Sequence, residues 1–117
     1  LNVYGIETEL DQVILNIINN AIDAFKEREI KNKEINITVL SKGTYTILII
    51  EDNAGGVKIN DLEKLFDPYY TTKATGTGTG LYMVKLVIKN SFSGDLKLSN
   101  TQKGLRYVIA LPQKKIL

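Results

Sequence analysis

Between Glu7 and Lys26, apolar residues recur at helical spacing. Leu10, Ile14, Ile17, Ile18, Ala21 and Phe25 fall on one face, which predicts a long amphipathic helix. Ahead of it, Leu1 to Tyr4 reads as a short strand. A polar linker, Glu27 to Glu34, follows the helix, and then Ile35, Ile37 and Val39 alternate with Asn36 and Thr38 as in a half-buried strand. Lys42-Gly43 supplies a turn and Tyr45 to Ile50 returns as a second strand, a hairpin pattern. Asp52 to Val57 is a glycine-bearing loop. Asn60 and Glu63 form a capping-box pair that predicts a short helix through Leu65. Phe66 to Thr79 reads as irregular, a second helix is predicted from about Gly80 to Lys89, and Gly94 to Ser99 with Leu105 to Leu111 make a last hairpin around Lys103-Gly104. Adjacent strands with helices between them predict one α+β domain over residues 1–117, a two-layer α/β sandwich. Its sheet is expected to be mixed but mainly antiparallel, with the helices on one face.

Composition narrows the chemistry. The chain is 44% hydrophobic and 24% charged, an ordinary globular balance. Its net charge of +2 is spread with both signs interleaved, and no basic cluster carries interleaved aromatics, so no nucleic-acid partner is expected. Apolar runs such as Ile47 to Ile50 are far too short to span a bilayer. The expectation is a cytoplasmic domain without membrane contact of its own, whose parent protein could still be membrane-anchored. The chain opens at Leu1 and without a secretory signal, as a fragment of a longer protein would. It contains no cysteine and no histidine. Disulfides, thiolate catalysis, Cys-based zinc sites, Ser-His triads and histidine general bases are therefore excluded within it.

Three segments could carry chemistry. Asn16, Asn20 and Asp23 are spaced to share one side of the first helix, opposite the Ile14/Ile17/Ala21 stripe. Asparagine is a weak helix former, and a plain solvated face would be built from Glu, Lys and Gln. A carboxamide oxygen is also a hard ligand suited to Mg²⁺. On these residues alone, solvated face and metal site weigh about equally. Asp52 follows the apolar strand and, by alternation, points the same way as Leu48 and Ile50. A carboxylate at the edge of a core needs a donor, which an adenine amino group could be. A simple Asp-Asn turn with glycines accounts for the same residues. Thr71 to Leu81 places alternate glycines ahead of an apolar helix. There, backbone amides and the helix N-terminus could hold phosphate, with Lys73 adding a mobile charge; a flexible linker is the competing reading. No strand directly precedes these glycines and no Gly-Lys-Ser/Thr ends them, so neither a dinucleotide fingerprint nor a P-loop is present.

Order and spacing distinguish these segments from chance. QVILNIINNAIDA, Gln12 to Ala24, resembles the asparagine box of sensor histidine kinases. DNAGG, Asp52 to Gly56, resembles their first glycine box, usually Asp-x-Gly-x-Gly. LFDPYYTTK, Leu65 to Lys73, is similar to the phenylalanine box, and GTGTGL, Gly76 to Leu81, to the second glycine box. The resemblance covers most of the chain. The family shares its ATP-binding fold with DNA gyrase, ninety-kilodalton heat-shock chaperones and mismatch-repair ATPases.

The resemblance implies a protein-histidine kinase catalytic domain that binds Mg-ATP and phosphorylates a histidine on a separate dimerisation domain, upstream of a response regulator. Asn20 would ligate Mg²⁺, and Asp52 would hold the adenine amino group within a site that includes Asp23 and Gly56. Gly76, Thr77, Gly78, Thr79, Gly80 and Leu81 would wrap the phosphates, with Thr72 and Lys73 near the γ-phosphate. Asn16 stands where hydrolysing relatives carry a water-activating glutamate, and an amide cannot take that proton. Asn16 and Lys73 are thus the expected catalytic positions, and a kinase is expected over an ATPase. Ala54 and Thr79 depart from the usual boxes, and Ala54 gives up the freedom of a glycine to adopt positive φ. The alternative is a regulatory module of the same fold, such as an anti-sigma factor serine kinase.

Overall fold

The computed structural model describes residues 3–57, 62, 64–66 and 80–114. Helix α1 spans Glu7–Glu27, strand β1 Ile35–Lys42, strand β2 Tyr45–Asp52, helix α2 Gly80–Phe92, strand β3 Asp95–Asn100 and strand β4 Leu105–Pro112. A single 3₁₀ turn, Lys64–Phe66, lies between β2 and α2. Asn60 and Glu63, the expected capping pair, lie outside the described residues.

Helix α1 starts without a side-chain cap. The Glu9 and Leu10 amides donate to the Ile6 carbonyl, and Glu7 and Glu9 place negative charge at the positive end of the helix dipole. The helix ends as Glu29 turns to φ +53°, letting the Ile30 amide donate to the Phe25 carbonyl. Its buried stripe is Val13, Ile17, Ala21 and Phe25. This corrects the predicted geometry in two ways. Val13 belongs to the core, and Asn16, Asn20 and Asp23 are half-buried beside the stripe instead of opposite it. The opposite side carries exposed Leu15 and Ile22.

The sheet order is β1-β2-β4-β3, and every described ladder is antiparallel, with no parallel pair among the described strands. Lys42 pairs with Tyr45, so the hairpin turn is Gly43-Thr44, one residue later than predicted, with Gly43 at φ +61°. Val3 and Tyr4 are not in a strand, although the Tyr4 amide donates to the Pro112 carbonyl at the end of β4. Directly paired residues share a face, so Leu48–Ile109–Leu96 and Ile50–Tyr107–Leu98 form two rows on the inner side. Those rows join Val13 and Ile17 of α1 and Leu81, Val84, Ile88 and Phe92 of α2 in one core. At about 25 cal/mol per Å², burying side chains of this size supplies most of what holds the layers together. A second cluster joins Ala21, Phe25 and Ala54. Strand β1 departs from its pattern: Ile37 and Val39 face the helix side in register but stay half exposed, at 49% and 50%. No described helix is long and apolar enough to cross a membrane.

Candidate functional site

The site grows from the end of β2. Burial alternates along the strand through Thr46, Leu48 and Ile50 to Asp52, which is only 8% exposed. Its Oδ1 accepts hydrogen bonds from the amides of Ala54 at 3.0 Å and Leu105 at 3.3 Å. Both land on the same oxygen, and among the described residues no donor reaches Oδ2. Oδ2 is not a buried orphan: Asp52 lines a polar cleft at the end of β2, and an N–H donor from a ligand could meet that oxygen there. Gly104 packs against Asp52 so closely that any Cβ there would overlap the carboxylate.

The following loop is already formed. Gly55 and Gly56 take φ +99° and +68°, a left-handed geometry that glycine adopts freely. Ala54 needs no such freedom: its φ is not positive, and its methyl fills the second cluster. Asn53 is tied on both sides to the linker, accepting from the Glu34 amide and donating to the Asn32 carbonyl. The Asn100 carboxamide brackets Val57, accepting from its amide and donating to its carbonyl. The Arg28 guanidinium, at the end of α1, donates to the carbonyls of Ala54 at 2.7 Å and Gly56 at 2.5 Å. Arg28, Asn100 and Gly104 were not legible as site residues, because each acts across 26 or more residues of chain on backbone atoms.

Of the predicted helix residues, Asn20 comes closest to Asp52 in effect. Both bear on the same group, the Tyr107 hydroxyl of β4, which is buried between the layers. Burial pushes the Tyr107 phenol up to about 12; the hydrogen-bonding influence of Asn20 opposes this, and the Asp52 charge adds to it. Asn20 lies near enough to influence the hydroxyl, yet among the described residues no hydrogen bond of good geometry closes on that oxygen. Asn16, one turn earlier, accepts from the Gln12 side chain at 3.0 Å, and Asp23 is half-buried on the same side of α1. Gly80 opens α2 and is exposed, whereas Leu81 spends its side chain on the core and leaves only its backbone for a ligand. Thr72, Lys73, Gly76, Thr77, Gly78 and Thr79 lie outside the described residues. Phe66 of the phenylalanine box sits under the Lys85 ammonium of α2, 5.4 Å from its ring centre.

No three acidic, histidine or cysteine groups converge among the described residues. A divalent ion held by Asn20 would therefore complete its shell with water and phosphate oxygens, the habit of Mg²⁺. A polar cleft of about 380 Å³ opens near the end of β2, lined by Glu34, Asn36, Glu51, Arg106 and the Thr101–Lys103 turn among others. Its Glu51–Arg106 ion pair lies on the outer face of the sheet, away from Asn16 and Asn20 of α1.

Residues 5–115 match the model of the histidine kinase-, DNA gyrase B-, and HSP90-like ATPase family. The sensor histidine kinase ZraS of Escherichia coli O157:H7 is 34% identical over 104 residues, covering 88% of this chain and 22% of that protein. The signal transduction histidine-protein kinase AtoS of Escherichia coli K12 is 36% identical over 105 residues, covering 88% of this chain and 16% of AtoS. The chain thus spans less than a quarter of the length of either relative. Among solved structures, a nucleotide-free form of the catalytic domain of the histidine kinase ThkA superposes with a TM-score of 0.82 at 26% identity, over 95% of this chain and 71% of that one. The mycobacterial sensor histidine kinase MprB shares the fold, with a TM-score of 0.82 at 21% identity over 97% of this chain and 76% of that one.

Proposed function

Because the chain belongs to the histidine kinase-, DNA gyrase B-, and HSP90-like ATPase family, we propose that it is the catalytic domain of a sensor kinase, binding Mg-ATP for transfer of the γ-phosphoryl group to a histidine outside these residues. The observation that carries the proposal is the Asp52 carboxylate, whose Oδ1 is filled by two amides while Oδ2 has no donor among the described residues. Adenine presents an amino group that can complete it. Guanine presents a carbonyl at the corresponding position, which a carboxylate repels. The missing Cβ atoms of Gly56 and Gly104 let the loop and the turn before β4 close directly on Asn100 and Asp52, which fixes the carboxylate in place. Mg²⁺, when bound, neutralises phosphate charge, and Asn20 is the residue proposed to hold it. Lys73, Thr72 and the glycines from Gly76 to Gly80 are proposed to embrace the phosphates. Asn16 cannot accept a proton from water, so bound ATP waits for an outside nucleophile. The acceptor domain and a downstream response regulator are the proposed partners, as in two-component systems.

Asp52→Asn tests this cleanly. The amide keeps Oδ1 for the Ala54 and Leu105 N–H groups but replaces Oδ2 with a donor. The fold should survive, while loss of a charge-assisted bond, about 1.5–3 kcal/mol, weakens ATP roughly 10- to 150-fold. Calorimetric titration should show this loss, and GTP should bind poorly to the unaltered domain. Equal ATP affinity in the two proteins contradicts the assignment.

A further inference from the structure

We propose that the Tyr107 hydroxyl is a positioning group of the nucleotide site, turning the Asn20 carboxamide so that its oxygen faces the metal of a bound Mg-nucleotide. The inference rests on the reading of Asn20 as metal ligand given above and assigns a task to a residue that reading does not use.

Tyr107 lies on the inner face of β4, paired with Ile50 on one side and Leu98 on the other, and is 1% exposed. Its ring is ordinary core. Its oxygen is not: it is a fully buried hydroxyl with no hydrogen bond of good geometry among the described residues. Leaving such a group unpaired is costly, and phenylalanine would fill the same space without that cost. Two polar groups bear on it from opposite layers, Asn20 from α1 and Asp52 from β2. A hydroxyl can donate and accept at once, whereas a carboxamide has an acceptor on one side and a donor on the other. Those two sides are nearly identical in shape, so packing alone does not choose between them. If Tyr107 Oη accepts from Asn20 Nδ2, Asn20 Oδ1 turns away from the core, as a hard oxygen ligand must to meet Mg²⁺. The phenolic proton is then free to turn toward the negative charge of Asp52. One oxygen thereby links the residue proposed for the metal to the residue proposed for the base.

Tyr107→Phe removes that oxygen and keeps the ring. The test titrates a non-hydrolysable ATP analogue with Mg²⁺, and separately ADP in EDTA, into the unaltered domain, Tyr107→Phe, Asn20→Ala and the double variant, with thermal melts of each protein without nucleotide. Tyr107→Phe should weaken the Mg²⁺-dependent binding roughly three- to tenfold, the worth of one neutral hydrogen bond. It should change metal-free ADP binding by less than about twofold and leave the melting temperature equal or higher. In the Asn20→Ala background it should add no further loss, because the two residues act as one unit. Undiminished Mg²⁺-dependent affinity in Tyr107→Phe overturns the inference alone. Equal losses with and without metal, or a lowered melting temperature, reveal a packing role and also overturn it. Failure of the unaltered domain to bind either nucleotide overturns the reading of the site itself, and this inference with it.

Discussion

Asp52 and Tyr107 are both buried polar groups one strand apart, yet they were not equally legible. Asp52 follows from the period of two along β2, because the alternation that buries Leu48 and Ile50 carries on for one more step. Tyr107 in the sequence is simply an aromatic at an inward strand position. Its significance depends on which groups α1 and β2 bring against its oxygen, and no local pattern encodes that. The shifted phenol gives a separate prediction. Burial raises the folded value to about 12 from 10.0, with Asn20 opposing and Asp52 reinforcing the rise. The neutral phenol is thus favoured in the folded state, and the sign follows. Its contribution is fully present below pH 10, then falls as pH rises toward 12, because the unfolded chain releases a proton that the native protein keeps. Urea melts in metal-free buffer at pH 9 and 11 should show the unaltered protein losing about 1 kcal/mol more than Tyr107→Phe. Parallel losses would mean that the hydroxyl is better solvated than its burial indicates.

Helix α1 illustrates why apolar spacing underdetermines a face. Leu10, Ile14, Ile17, Ile18, Ala21 and Phe25 fit one broad stripe, but Val13, Leu15 and Ile22 extend apolar character around the helix. Packing against α2 and the inner face of the sheet selects Val13 and Ile17, packing against Ala54 selects Ala21 and Phe25, and this rotation brings Asn20 to the border of the core instead of into solvent. Strand β1 shows the converse: its alternation is real, but as an edge strand it carries Ile37 and Val39 beyond the buried rows. The end of α1 also reaches the Ala54–Gly56 loop through Arg28, whose Nη1 donates to both the Ala54 and Gly56 carbonyls. Arg28→Ala should lower stability by about 1–2 kcal/mol and weaken ATP by a similar amount, since the loop must then be ordered on binding. Chemical denaturation and titration on the same sample check both effects. Lost stability with unchanged affinity would show that the loop is held without the clamp.

The whole molecule was legible where sequence pattern and fold coincide: two helices on an antiparallel sheet, with the asparagine helix and the Asp52 loop as neighbours in space. The crossover order β1-β2-β4-β3 was not, because pairing β2 with β4 across some sixty residues of chain is decided by tertiary packing. That pairing brings the Leu105 amide and Gly104 against Asp52, completing a site that neither hairpin makes alone. The chain contains no histidine, so a kinase of this design must send its phosphoryl group elsewhere. The most direct measurement mixes γ-labelled ATP and Mg²⁺ with this domain, with the proposed histidine-bearing acceptor domain, and with both together. Acid-labile label should appear on the histidine domain in the mixture only, slowly and in proportion to domain concentration, because no tether raises the local concentration. The domain by itself should neither label nor release phosphate appreciably. Rapid phosphate release by this domain alone, with no label on the histidine partner, would contradict the account and make it a hydrolase.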